Sequence, residues 1–186
     1  MLKTATALVL FLFAISPANA AGAWQEYIYE EDAFAVQFPA PPTTGTEMYE
    51  TSISETRPAN THSAEFDNIL FKVRVIDIND MIDQGANFVV EAAYNLQRMG
   101  NVVYNDFPRV GLRGNATFGI AMVVDTEDGH RIRSSYYFEN GRLYLVEAIV
   151  TPERGDLDQA LPSRFDQTLR LRLDAQLNNT VPNLAQ

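Results

Sequence analysis

The chain has no cysteine, which excludes disulfides, thiol nucleophiles and cysteine-held zinc sites. It has two histidines, His62 and His130, far apart in sequence and too few for a structural zinc site. Basic residues are scarce: 14 Lys and Arg stand against 24 Asp and Glu, a net charge of −10. That balance excludes attachment to nucleic acid or to an anionic bilayer by charge. There is no internal repeat and no low-complexity tract. The serine lipase pattern Gly-x-Ser-x-Gly does not occur. GLRGN is glycine-rich but lacks the following Lys-Ser or Lys-Thr, so it is no phosphate loop.

Long apolar runs are also missing after the first twenty residues. MLKTATALVLFLFAISPANA has Lys3, an apolar run from Ala7 to Ile15, and Ala18-Asn19-Ala20 at its end. This is the pattern of an export signal cleaved after Ala20. The run is shorter than the roughly 20 apolar residues that span a bilayer. The expectation is a cleaved signal at 1–20, one α+β domain over 21–175 and a flexible tail over 176–186. The mature chain then has no membrane span and lies in the periplasm or outside the cell. Loss of Lys3 leaves 13 basic against 24 acidic residues, a net of −11.

Period-two patterns dominate what remains. Trp24, Tyr27 and Tyr29 predict a first strand or extended arm. Phe34, Val36 and Phe38 predict a second, stopped by Pro39, Pro41 and Pro42. GTEMYETSIS predicts a strand with Met48 and Tyr49 inward. ETRPANTHSAE is polar and turn-rich and predicts a loop. NILFKVRVIDI alternates Leu70, Lys72, Arg74 and Ile76 with Phe71, Val73, Val75 and Asp77, an interior strand. From Asp83 to Met99 the spacing becomes helical, with Phe88, Val89, Ala92, Ala93, Leu96 and Met99 on one face and Gly100 as its stop.

After Gly100 the alternation returns. NVVYNDFPRVGL predicts one strand, or two pieces broken at Pro108. Residues 116–150 predict a three-stranded antiparallel meander with turns at Glu127-Asp128-Gly129 and Glu139-Asn140-Gly141. Leu157, Leu161 and Phe165 predict a second helix, with Pro162 in a first turn. The sum is an α+β fold: an antiparallel β-sheet flanked by helices, with the helices on one face of the sheet.

The search for chemistry yields few candidates. A serine hydrolase would need His62 or His130 as its base, joined to a serine and a carboxylate. DINDMID gathers Asp77, Asn79, Asp80 and Asp83, but Met81 and Ile82 stand where a calcium loop needs a ligand and a glycine. Those acids read as a helix start, with Asp80 or Asp83 as the cap. No metal and no cofactor is expected. Gly111, Gly114 and Gly119 suit a bulge or a close backbone approach. Arg131 and Arg133 share one strand face and, with Tyr137, Arg142 and Tyr144, form the best candidate binding patch, since Arg and Tyr are favoured at interfaces. The plainer reading of these five is a solvent face with cross-strand pairs to Glu139 or Glu147.

The order of these signals resembles the PsbP-like group, which shares its fold with the Mog1 and DcrB proteins. FAVQFPAPP, GLRGNATFGIAM, RIRSSYYFENGRLYLVEAIV and SRFDQTLRL carry the resemblance, from Trp24 to Leu173. It implies an antiparallel sheet flanked by helices. Plant and cyanobacterial members associate with the lumenal side of photosystems, and many bacterial relatives are exported proteins of unassigned role. This chain lacks the lipid-attachment cysteine that many exported relatives carry. The expected function is an exported, non-enzymatic accessory or binding protein of the cell envelope, with a protein or small-ligand partner. The alternatives are an envelope hydrolase using His62 or His130, or a homodimeric subunit joined through Tyr136 or Phe138.

Overall fold

The structure, a computed structural model, describes residues 23–51, 56–111, 116–155 and 160–171. The predicted signal, the tail and the start of the second helix near Leu157 lie outside them. The sheet is most easily followed outward from Asn140 and Gly141, whose φ values of 48° and 74° are both positive. A two-residue hairpin turn with the right twist requires that pair. It joins β9 (Arg131–Glu139) to β10 (Arg142–Val150), with Arg142 opposite Glu139. A Cβ on Gly141 would lie 1.8 Å from Oδ1 of Asn79. Gly141→Ala should therefore cost more than about 1 kcal/mol, read as a lower urea midpoint at unchanged slope. An unmoved midpoint would show that the turn carries no such strain.

The remaining strands are β1 (Gln25–Tyr29), β2 (Phe34–Phe38), β3 (Thr43–Glu50), β4 (Thr56–Phe66), β5 (Ile69–Asp77), β6 (Gly100–Asp106), β7 (Arg109–Val110), β8 (Thr117–Thr126) and β11 (Arg170–Leu171). The main sheet runs β3-β4-β5-β10-β9-β8-β6, with β7 paired to β8. The pairings given for it are all antiparallel. β1, β2 and β11 form a second, three-stranded sheet. The predicted meander over 116–150 is β8-β9-β10, and the break at Pro108 separates β6 from β7.

Helix α1 (Gly85–Gln97) packs on one face of the main sheet. There Phe88, Val89, Ala92, Ala93 and Leu96 meet Met122, Val124, Ile132, Tyr136, Leu143 and Leu145. Helix α2 (Ala160–Gln167) and the small sheet cover the opposite face, where Phe165, Phe34, Val36 and Phe38 meet Phe71, Val73, Tyr137, Tyr144 and Val146. The helices therefore lie on opposite faces and not together on one. The reason is that β10 is buried and largely apolar on both sides, so each face needs a cover.

Four other expectations are corrected. ETRPANTHSAE is not a loop: Thr56–Phe66 is the eleven-residue strand β4. Its apolar signal is weak because small or polar residues fill its buried positions Ala59, His62 and Ala64. Pro58 is tolerated because β4 begins pairing with β5 only at Ala59. Met48 points outward and is exposed, while Tyr49 is the residue that packs inward. Gly100 does not cap α1; it opens β6, and a Cβ there would sit 2.0 Å from the Asp125 carbonyl oxygen. Neither Asp80 nor Asp83 caps a helix by side-chain hydrogen bond. Asp80 pairs with Arg57 at 2.7 Å, and Asp77 Oδ1 accepts the Asn79 N–H instead.

Candidate functional site

The β1–β2 hairpin turn, Glu30-Glu31-Asp32-Ala33, is held to the main sheet by side chains from four positions. Asp32 is 8 % exposed. Its Oδ1 accepts the Asn60 amide at 2.8 Å and its Oδ2 accepts His62 Nε2 at 2.8 Å. Tyr144 donates its hydroxyl to the Asp32 carbonyl at 2.9 Å, and Arg142 reaches the Glu31 carbonyl at 3.2 Å. Ala33, a residue with a Cβ, takes a φ of 56° to close the turn, the kind of strain that surrounding contacts must hold.

Burial alone would raise the Asp32 carboxyl, but the hydrogen bonds from His62 and Asn60 outweigh it and hold it below the usual range. An ionised carboxylate only accepts, so Nε2 of His62 carries the proton. The His62 ring lies 3.8 Å from the Tyr29 ring, centroid to centroid, with the edge of Phe34 at 5.3 Å. Its Nδ1 is buried without a hydrogen-bond partner, as is the Tyr29 hydroxyl. Burial pushes the Tyr29 phenol up to about 12, so it stays protonated.

Beside this latch is a recess of about 500 Å³ lined by Glu30, Glu31, Asp32, Thr44, Thr46 and His62, among others. No lysine or arginine lines it. On the other face of the sheet, where α1 ends, a groove of about 370 Å³ runs from Met99 and Ile132 past Leu70 to Tyr49. Its polar end is already paired: Arg74 with Glu147 at 2.6 Å and Lys72 with Glu47 at 2.5 Å. The β3 strand borders both hollows, through Thr44 and Thr46 in one and Tyr49 in the other.

The five residues of the predicted patch do not form one exposed surface. Tyr137 and Tyr144 are each 1 % exposed and belong to the core beneath the small sheet. Arg131 bonds Asp125 across the β8–β9 hairpin, at 2.5 and 2.6 Å. Arg133 ties the sheet to α2 through Asp166 at 2.8 Å and covers the Tyr104 ring. Tyr137 and Tyr144 face each other across β9 and β10 inside the core, and Arg142 and Tyr144 meet behind the latch. Arg113, Gly114 and Asn115 lie outside the described residues.

A hydrolase would need a histidine bonded to both a serine and a carboxylate. His62 has the carboxylate and no serine, and its free nitrogen is buried. His130 stands 3.2 Å from Asp128 on an exposed turn, again with no serine bonded. The dimer contact through Tyr136 also fails: Tyr136 is 2 % exposed and Phe138 packs against the α1 core. Among the described residues no group of three His, Cys, Asp or Glu is placed to hold a metal. No helix among them is long and apolar enough to cross a membrane.

Sequence reading found His62, Arg142 and Tyr144 but missed Asp32, Asn60 and Tyr29. The available signal was the alternation of Asn60, His62 and Ala64 inside a segment read as a loop. A second clue was a four-residue turn between the paired runs YIY and FAV.

No family model matches the chain, and no curated protein matches it by sequence. The solved structures do match in fold. The solution structure of cyanobacterial PsbP from Synechocystis superposes with a TM-score of 0.50 at 13 % identity, over 86 % of this chain and 98 % of that one. A Pseudomonas aeruginosa protein of unknown function aligns at 13 % identity over 89 % of this chain and 100 % of the other. Its TM-score of 0.37 carries no argument. The chain therefore has the PsbP-like α+β architecture, an antiparallel sheet flanked by helices.

Proposed function

We propose that the protein is exported after cleavage at Ala20 and serves, as a single domain over 21–175, as an accessory protein of the cell envelope. It acts by binding a partner, without a cofactor or chemistry of its own. Its working surface is the β3 end of the main sheet. The observation that carries this reading is the convergence there of two hollows on opposite faces, both bordered by β3. Concave sites with a few convergent polar groups are where proteins bind ligands. Elsewhere the charged side chains first considered for binding are engaged in holding the fold together.

The test places a photo-crosslinking amino acid at Met48 on β3, or at Phe107 near the far edge, both exposed. Each variant is returned to its own cell envelope. A saturable, stoichiometric adduct from Met48 and none from Phe107 is the expected result. Adducts from Phe107 alone, or equal background from both, would move the working surface away from β3.

A further inference from the structure

The two edges of the main sheet are built differently. β6, at one edge, is broken by a register shift between Val102 and Tyr104. Such a bulge discourages pairing with another chain, as do proline and lysine. β3, at the other edge, pairs with β4 without interruption over eight residues, Thr43 to Glu50. Its sequence, TTGTEMYE, contains no proline and no lysine. Most of its side chains are exposed; β4 is its pairing partner, and Glu47 and Tyr49 reach in from it to Lys72, Arg74 and the α1-side core. Among the described residues no strand pairs with the other edge of β3, so one row of its backbone N–H and C=O groups faces outward there.

That free edge borders the recess. Thr44 stands opposite His62 and Thr46 opposite Asn60, so these four share the face on which the latch lies. The carboxylates of Glu30 and Glu31 have no cation partner among the described residues. His62 is 6 % exposed, lines the recess and leaves Nδ1 unsatisfied; Tyr29 lines it and leaves its hydroxyl unsatisfied. Glu30, Glu31 and Asp32 line the recess, His62 is the one basic residue in its lining and Arg142 sits behind it at the Glu31 carbonyl, so the two glutamates suit it to a positive group. No metal-holding cluster is present among the described residues, so the cation is an organic ammonium or guanidinium.

We propose that β3 accepts an extended segment of a second protein as an added strand, with a lysine or arginine of that segment seated in the Asp32–His62 recess. This rests on the reading that the β3 end is the working surface, and it names the partner's chemistry. Main-chain hydrogen bonds along Thr43–Glu50 supply the affinity, and the recess selects the side chain. Because side chains alternate along a strand, the residue two positions from the basic one falls on the same face. There it meets exposed Met48, so it is apolar. Ion pairing with Glu30 and Glu31 sets orientation and encounter rate.

The test selects a displayed library of random decapeptides on the full mature chain, then maps the winners by amide NMR. Enrichment of one Lys or Arg with an apolar residue two positions away is expected, with protection of the Thr43–Glu50 amides. The Glu30→Gln, Glu31→Gln double variant should bind those peptides at least tenfold more weakly, and its spectrum should show an intact fold. Winners without a basic residue, no enrichment, or binding unaffected by the double variant would overturn the proposal. Winners that shift Tyr49, Leu70 and Ile132 in the groove would overturn it too, while leaving the β3 end as the working surface. Protection of β3 by raising the protein concentration alone would make the occupant a second copy and sink the proposal.

Discussion

Phe71→Ala should lower stability by about 3–5 kcal/mol, the usual cost of emptying a fully buried phenylalanine site. Phe71 is 0 % exposed on the central strand β5. Trp24 packs edge-on against it at 5.6 Å, and Phe165 of α2 meets it at 5.2 Å. The side chain therefore joins three separate pieces: the main sheet, the segment entering β1, and α2. Trp24 is the only tryptophan, so its fluorescence reports directly on the loss. Urea unfolding of the wild type, Phe71→Ala and Phe71→Leu would measure the effect. The leucine variant should lose less, because it leaves a smaller cavity. A loss below about 1 kcal/mol for the alanine variant would mean that the three pieces close over the gap, contrary to the packing described.

Asp32→Ala should cost about 3 kcal/mol, because it strands two donors that now share one carboxylate. His62 Nε2 and Asn60 Nδ2 would both lose their acceptor. The turn Glu30–Ala33 would then be held only by Tyr144 and Arg142 through the backbone. The acid dependence has a definite sign. Asp32 titrates below its ordinary value in the folded protein. Its stabilisation is therefore full above about pH 4 and is lost as pH falls through the lower folded value. The stability gap between wild type and Asp32→Ala should narrow on acidification below about pH 4. A gap that widens there would show that the carboxyl is not held in its charged form.

Reading from residues alone recovered the parts of the fold whose signals are local. The Asn140–Gly141 turn, the alternation of β5, β9 and β10, and the helical spacing of α1 each lie within one short window. β4 was lost for a physical reason. Its buried positions are filled by Ala59, His62 and Ala64, which are small or polar and divided between the two faces, so no period-two apolar signal marks it. The side of the sheet taken by each helix was also hidden, since it depends on which neighbour covers each face of β5 and β10. The latch was the least legible feature. Asp32 and His62 are thirty positions apart and sit in a turn and a presumed loop. Only the pairing of β1 with β2, and the packing of that hairpin on β4, brings them together. The tyrosines of the predicted patch show the opposite error. Tyr137 and Tyr144 have polar tips, yet their rings are core, and sequence cannot tell a buried tyrosine from a recognition tyrosine.

The seam between β5 and β10 has a consequence for how the chain is made. β10 lies between 65 and 81 positions downstream of the residues it pairs with on β5. At ribosomal rates of roughly 5–20 residues per second, β5 waits roughly 3–16 s for its partner. During that interval Phe71, Val73 and Val75 stand on a strand with an open edge, the setting in which nascent chains clump. Lys72 and Arg74 interrupt that run at alternate positions. They act as gatekeepers in the newborn chain, Arg74 well before its carboxylate partner Glu147 has been synthesised and Lys72 with Glu47 already made upstream.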